Sequence, residues 1–295
     1  MIALAHISDI HLAPLPPVRP LDLMNKRITG YVNWRLKRKD QHGSGSLASL
    51  VDHLKATAPD FIAVAGDLVN LALDEEFANS ARWLENLGPP QSVCVVPGNH
   101  DAYVPGALEK ARLAWGGYMQ GETLDAEPFP YVRRIGDVAV VGCSSAIATP
   151  PFIAAGRFDE PQAARLASQL KDLGEAGYFR VVMIHHPPFT EGVPLHKRMF
   201  GARLFREILG THGADMVLHG HTHASTIHAI PGPDGEIPVI GVAAAGARPG
   251  PGSDPGRYNL FLIERMRNRW SCTMREWGYQ RLGDEIVMRL QTRIC

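Results

Sequence analysis

Cysteine is scarce in this sequence. Its four cysteines, Cys94, Cys143, Cys272 and Cys295, are scattered and include no CxxC pair. That spacing gives no disulfide framework. Cys94 and Cys143 fall inside apolar runs, so they read as buried free thiols in a reducing cytoplasm. Neither charge is in excess: 30 basic and 30 acidic residues give a formal net charge of zero. That balance argues against a chain that grips nucleic acid by neutralising phosphates, and no nucleic-acid partner is expected. No apolar run approaches the roughly 18 residues of a membrane span. The start, Met1 to Asp9, lacks a basic residue and carries an acid by Asp9, so no secretory signal is expected. No internal repeat is visible. Low complexity is confined to "GARPGPGSDPG", Gly246–Gly256, which reads as a surface loop.

What is present suits a packed core: 45% hydrophobic and 20% charged residues in a chain of 295. The expectation is one large α/β domain spanning residues 1–295. Short apolar runs alternate with helical spacing. Strands are expected at Ile2–Ile7, Phe61–Ala65, Ser92–Val96, Val138–Cys143, Val181–Ile184 and Met216–Leu218. Helices are expected through Leu47–Leu54, from Asp74 to a stop at Gly88, from Asp159 to Gly174, and around Leu204–Leu209. The tail changes character, with strands at Pro238–Ala245, Tyr258–Glu264 and Trp270–Glu276 and no long helix between them. The fold class is therefore α/β: a mainly parallel or mixed sheet covered by helices, with antiparallel tail strands joining a second sheet.

Five strand ends carry the same kind of chemistry. They read Asp9-Ile10-His11, Gly66-Asp67, Gly98-Asn99-His100-Asp101, His185-His186-Pro187-Pro188 and Gly220-His221-Thr222-His223. In open α/β sheets ligands bind beyond the carboxyl ends of the strands, so five such ends on one sheet would converge. Carboxylates, imidazoles and an amide oxygen, without thiolate, suit Mn²⁺, Fe²⁺/Fe³⁺ or Zn²⁺. In Asp-x-His and His-x-His, alternate side chains of an extended segment point the same way. Gly66, Gly98 and Gly220 let the backbone turn where the ligands leave the sheet. Any one of these motifs has an ordinary reading, such as an Asx turn or a solvated loop. Five in this order do not.

This set resembles that of the calcineurin-like metallophosphoesterases, from Asp9 to His223. The resemblance implies two mixed β-sheets packed as a sandwich and flanked by helices. It implies two divalent metal ions, one held by Asp9, His11, Asp67 and His223 and the other by Asp67, Asn99, His185 and His221, with Asp67 bridging. The spacing to proline favours His185 over His186. It further implies phosphoester hydrolysis in which the two ions supply hydroxide at neutral pH and neutralise the phosphoryl oxygens. His100 is not needed as a ligand. With an intrinsic pKa of about 6.5, it is the candidate catalytic acid for the departing alkoxide. Asp101 either orients that imidazole or caps the following turn. His6 and His219 read as packed core residues, and His42, His53, His212 and His228 as surface positions. His196, Lys197 and Arg198 fall on an expected lid.

Substrate choice falls to an insertion at about residues 14–46, between Asp-x-His and the first clear helix. It holds seven basic residues, Arg19, Lys26, Arg27, Arg35, Lys37, Arg38 and Lys39, against Asp22 and Asp40. Leu21, Met24, Ile28, Tyr31, Val32 and Leu36 fall roughly at helical spacing. A basic amphipathic cap has two readings: a peripheral membrane contact through residues 19–39, or a helix packed on its own domain with a solvated basic end. The His-His-Pro-Pro segment is similar to that of the bacterial cyclic nucleotide phosphodiesterase branch. That implies a small-molecule phosphodiester substrate and a cytoplasmic protein. The stretch Asn25–Trp34 is similar to caps of metallophosphoesterases of lipid A precursor metabolism. That implies a nucleotide-linked lipid such as UDP-diacylglucosamine, met at the inner membrane face.

Overall fold

A computed structural model of the chain describes residues 1–38, 44–122, 127–250, 254–267, 269–280, 283 and 285–295. The strands, in chain order, are β1 (Ile2–Ile7), β2 (Phe61–Val64), β3 (Val93–Val95), β4 (Tyr131–Ile135), β5 (Val138–Gly142), β6 (Gly156–Arg157), β7 (Phe179–Met183), β8 (Met199–Phe200), β9 (Met216–His219), β10 (Thr226–Pro231), β11 (Glu236–Gly241), β12 (Arg257–Met266), β13 (Arg269–Tyr279) and β14 (Ile286–Arg293). The helices are α1 (Arg27–Asn33), α2 (Ser44–Ala56), α3 (Asp74–Leu87), α4 (Ala107–Trp115), α5 (Glu160–Glu175) and α6 (Ala202–His212).

The large strands form two sheets of six, ordered β14-β13-β12-β1-β2-β3 and β10-β11-β9-β7-β5-β4. Both are mixed. β1, β2 and β3 run parallel, as do β5, β7, β9 and β11, while β12 to β14, β4 and β10 are antiparallel additions. Side-chain alternation explains the layering. In the second sheet Val138, Val140, Val181, Met183, Met216 and Leu218 join one core with β1 and β2. Their alternates Ala139, Val141, Val182, Ile184 and Val217 join a second core with Leu166 and Leu170 of α5 and Phe205 and Leu209 of α6. A strand buried on both faces must be apolar at every position, which is why these runs do not alternate in sequence. Leu50 and Leu54 of α2 and Phe77 and Leu84 of α3 pack with β1 and β2 in the first core.

The cap region folds as a short 3-10 turn (Pro20–Leu23), then α1, then a π-helical stretch at Trp34–Arg38. It packs on its own domain along one side only. Tyr31 meets the core, while Leu21, Met24, Ile28, Val32 and Leu36 face water. His42, Lys39 and Asp40, and residues 251–253 of the Gly246–Gly256 loop, lie outside the described residues. His53 is not a plain surface residue: its Nδ1 lies 2.9 Å from the Tyr258 hydroxyl and its ring packs against Trp277.

Candidate metal centre

Every motif leaves the carboxyl end of its strand, but the five ends are divided between the sheets. Asp9, Asp67 and Asn99 follow β1, β2 and β3 of the first sheet, and His185 and His221 follow β7 and β9 of the second. The expectation of one sheet is corrected accordingly: the site sits where two sheets in the sandwich present their carboxyl ends side by side. Hydrogen bonds tie the loops within the first sheet and, through His221 and Asp9, across this seam. Asp9 N donates to Gly66 O and His11 N to Asp67 O, both at 3.0 Å, while His221 N donates to Asp9 Oδ2 at 3.0 Å.

The backbone is held in an unusual state here. Asp9, His11, Asp67, His221 and His223 all have positive φ, between 44° and 66°. Left-handed backbone is uncommon for residues with a Cβ, and each such position costs on the order of 1 kcal/mol or more. Of the three motif glycines, Gly66 alone has positive φ, at 95°. Gly98 and Gly220 serve instead by lacking a side chain: a Cβ on Gly98 would strike the Asp67 carboxylate, and one on Gly220 would strike Ser8 Oγ.

Asp9, His11, Asp67 and His223 bring one donor atom each to within 4.8 Å of one another. Asp9 Oδ1 lies 3.1 Å from His223 Nε2, yet it is buried and makes no hydrogen bond among the described residues. An oxygen buried in this way is what a cation would satisfy. A second group continues from Asp67. Its Oδ2 is 3.4 Å from His185 Nε2, His185 Nε2 is 3.3 Å from Asn99 Oδ1, and Asn99 Oδ1 is 2.9 Å from His221 Nδ1. Both groups therefore share Asp67, and the donor chemistry fits a pair of divalent ions.

Backbone carbonyls aim the imidazoles. His11 Nδ1 lies 3.1 Å from Val69 O and His185 Nδ1 2.6 Å from Ala65 O. A carbonyl only accepts, so Nδ1 carries the proton and Nε2 turns its lone pair inward. His221 is reversed: Nε2 donates to Lys197 O at 3.0 Å and Nδ1 faces Asn99. The choice between neighbouring histidines is also visible. His186 spends Nδ1 on Ser145 Oγ at 2.8 Å and Nε2 on Ala154 O at 3.1 Å, so His185 is the one beside Asp67.

Electrostatics favour positive charge in this pocket. Burial opposes ionisation of Asp67, but His185, then His100, outweigh it and hold the carboxyl well below the usual range. Burial likewise opposes Asp9 and His223 wins, lowering it. Burial would lower His185, but Asp67 overrides it and raises it to about 9. Burial, then His186, keeps His221 neutral. Ionised carboxylates and a neutral His221 are the states that ligation requires, and a bound cation would displace the proton that Asp67 holds on His185.

His100 stands at the edge of this group. Its backbone N donates to Asp67 Oδ1 at 2.7 Å, and its Nδ1 lies 2.6 Å from Asn70 O. Asp101 does not orient it. The buried Asp101 carboxylate accepts the backbone N–H groups of Asp67, Leu68, Val69 and Gly98 at 2.8–3.3 Å, so it clamps the Gly-Asp loop to the Gly-Asn-His loop. A neighbouring cavity of about 500 Å³ is lined by Asn99, His100 and Tyr103 on one side and by Lys26, Trp34, Phe152 and Lys197 on the others. Sequence reasoning passed over Tyr103 and Phe152. Only their nearness to a motif or to a turn hinted at them.

Comparison with known proteins agrees with this architecture. A glycerophosphodiester phosphodiesterase GpdQ from Enterobacter lignolyticus is 27% identical over 191 residues. That match covers 64% of this chain and 58% of the relative's length. A dimetal phosphatase from Danio rerio shares the fold with a TM-score of 0.62 at 13% identity, over 97% of this chain and 98% of that one. The purple acid phosphatase PPD1 of yellow lupin superposes with a TM-score of 0.57 at 10% identity, over 94% of this chain and 51% of that one. The family model described as calcineurin-like phosphoesterase matches residues 2–225, which takes in all five strand-end motifs, and the chain belongs to that family.

Proposed function

We propose that this chain is a dinuclear metal-dependent phosphoesterase that hydrolyses a small-molecule phosphodiester. The carrying observation is the shared Asp67, flanked by one donor group through Asp9, His11 and His223 and another through Asn99, His185 and His221. Two bound divalent ions would lower the pKa of water and neutralise charge on a phosphoryl group. The donor set suits Mn²⁺, Fe²⁺/Fe³⁺ or Zn²⁺. The protein's own part is orientation. Asn70 O accepts the Nδ1–H of His100, and the proton for the leaving-group oxygen would come from Nε2 of the imidazolium form. Lys26 and Lys197 offer positive charge at the cavity, and Trp34, Tyr103 and Phe152 give it aromatic walls that would hold an organic ester arm.

The diester preference is supported by that cavity, since a monoester has only one organic arm to place. The similarity to a protein named as a glycerophosphodiester phosphodiesterase points the same way. The test is a panel of bis(p-nitrophenyl) phosphate, p-nitrophenyl phosphate and cyclic AMP with Mn²⁺-loaded protein, before and after chelation. Diester turnover well above monoester turnover, abolished by chelation and restored by Mn²⁺, is expected. Monoester turnover in excess, or turnover indifferent to metal, overturns the reading.

A further inference from the structure

The outer side of the cap carries an exposed apolar stripe. Leu21, Met24 and Leu36 are 75%, 78% and 77% exposed, and Ile28 and Val32 are half exposed. Single exposed apolar residues are ordinary, but five on one short segment form a patch. The inner side of the same segment is already committed. Arg27 donates to Leu71 O and Ala72 O at 2.8 and 2.6 Å, and Lys26 Nζ donates to Thr149 Oγ1 and Ile153 O at 2.7 and 2.9 Å. The stripe therefore faces away from a helix that is already anchored.

Two other segments add to the patch. Phe152 is 80% exposed and lines the cavity beside His100. Leu195 is also exposed and directly precedes the cavity residues His196 and Lys197. Exposed apolar side chains thus come from three segments that also contribute to the cavity lining. The charge fits one occupant. Of the seven basic residues in 14–46, Lys26 and Arg27 are spent inward and Arg19 pairs with Asp22, while Arg35, Lys37, Arg38 and Lys39 follow together at the end of the stripe in sequence. Arg35 is exposed beside Leu36, and Lys197 stands at the mouth. Apolar side chains sunk to the headgroup boundary, flanked by cations, are the signature of a helix lying on an anionic membrane. A protein seated on this face would close the cavity, whereas a lipid surface leaves the mouth facing headgroups.

We propose that the cap face docks on an anionic lipid bilayer through Leu21, Met24, Ile28, Val32 and Leu36, with the cavity mouth turned to the headgroup layer. The docking stands independently of the hydrolase reading, because it needs no turnover.

The test is flotation of the Mn²⁺-loaded chain with vesicles of phosphatidylcholine alone or mixed with phosphatidylglycerol. The wild type is expected to float with the mixed vesicles and much less with the neutral ones. The triple variant Ile28→Ser, Val32→Ser, Leu36→Ser should lose about tenfold or more of that partitioning while keeping bis(p-nitrophenyl) phosphate turnover. Arg35→Glu, a single change at an exposed side chain, should weaken flotation several-fold in the same direction. A wild type that stays in the aqueous phase with mixed vesicles overturns the proposal. So do variants that float as well as wild type, or a wild-type dimer that the triple variant disperses. An inactive protein that still floats would overturn the hydrolase reading and leave the docking standing.

Discussion

The Tyr103 ring lies parallel to the His100 imidazole, with centroids 5.2 Å apart and planes 10° from coplanar. Lys26 Nζ sits 4.5 Å from the centroid of the same tyrosine. The cap, the tyrosine and the proposed acid therefore form one stack, anchored at the far side by the contact of His100 with Asn70 O.

Positioned acid catalysis is typically worth ~10² to 10⁴ in rate. His100→Ala is expected to lower diester turnover by that order while metal content, read by atomic absorption, stays at the wild-type level. Loss of both metals in this variant would show His100 to be part of the metal site rather than the acid. Tyr103→Leu should lower kcat by up to about tenfold, since an aromatic pair is worth roughly 1 kcal/mol. Tyr103→Phe should stay near wild type, because it keeps the stack.

Asp101 fastens two ligand loops through four backbone donors. Asp101→Ala leaves those N–H groups buried without a partner. A loss of about 3 kcal/mol in urea unfolding is expected, with weaker Mn²⁺ binding in the same variant. Unchanged stability would mean that another group already satisfies those donors.

Gly30 lies within α1 where the helix meets Tyr103. A Cβ there would strike the Tyr103 hydroxyl and come within 2.7 Å of Leu71 Cδ2. Helix propensity alone favours alanine over glycine by about 1 kcal/mol, but overpacking costs roughly 1–3 kcal/mol. The clash is expected to win: Gly30→Val should destabilise the protein and raise KM for the diester by displacing the cap. A stabilised variant with wild-type KM would show that α1 does not bear on the stack.

His6 is fully buried, and neither of its ring nitrogens has a hydrogen bond among the described residues. Burial first, and His219 second, push its pKa down from 6.5 to about 3. The unfolded chain therefore takes up a proton that the folded chain refuses. The stability from neutral His6 is complete above about pH 6.5 and is lost as pH falls towards about 3, on the order of 5 kcal/mol in total. Urea unfolding of chelated protein across that range should show a shallower acid limb in His6→Leu than in wild type. Parallel curves would refute the assignment.

The sequence revealed the chemistry of the site more fully than the elements around it. Asp9, His11, Asp67, Asn99, His221 and His223 belong to short local motifs, and each motif follows an apolar run that one-dimensional reading detects. Helix α4 went unread although Ala107, Ala111 and Trp115 repeat at a helical interval, because attention to the Gly-Asn-His-Asp turn stopped at the turn. Strands β4, β10 and β14 were missed for a different reason. They lie at sheet edges with few buried positions, so neighbours rather than intrinsic pattern make them strands. The expected Pro238–Ala245 strand stops at Gly241, and Ala245 N instead donates to Ser8 O at 2.9 Å beside the site.

By itself the sequence determined which donor types were available, their order, and that strands would present them. Those are local facts, fixed by residue identity and a few positions of spacing. The tertiary structure alone decided that the motifs divide three and two between the sheets. It also decided that Asp101 binds loops instead of an imidazole, and that the apolar cap residues look outward. Each depends on which distant groups meet, and distance along a chain carries no record of the partner a side chain will find across a sandwich.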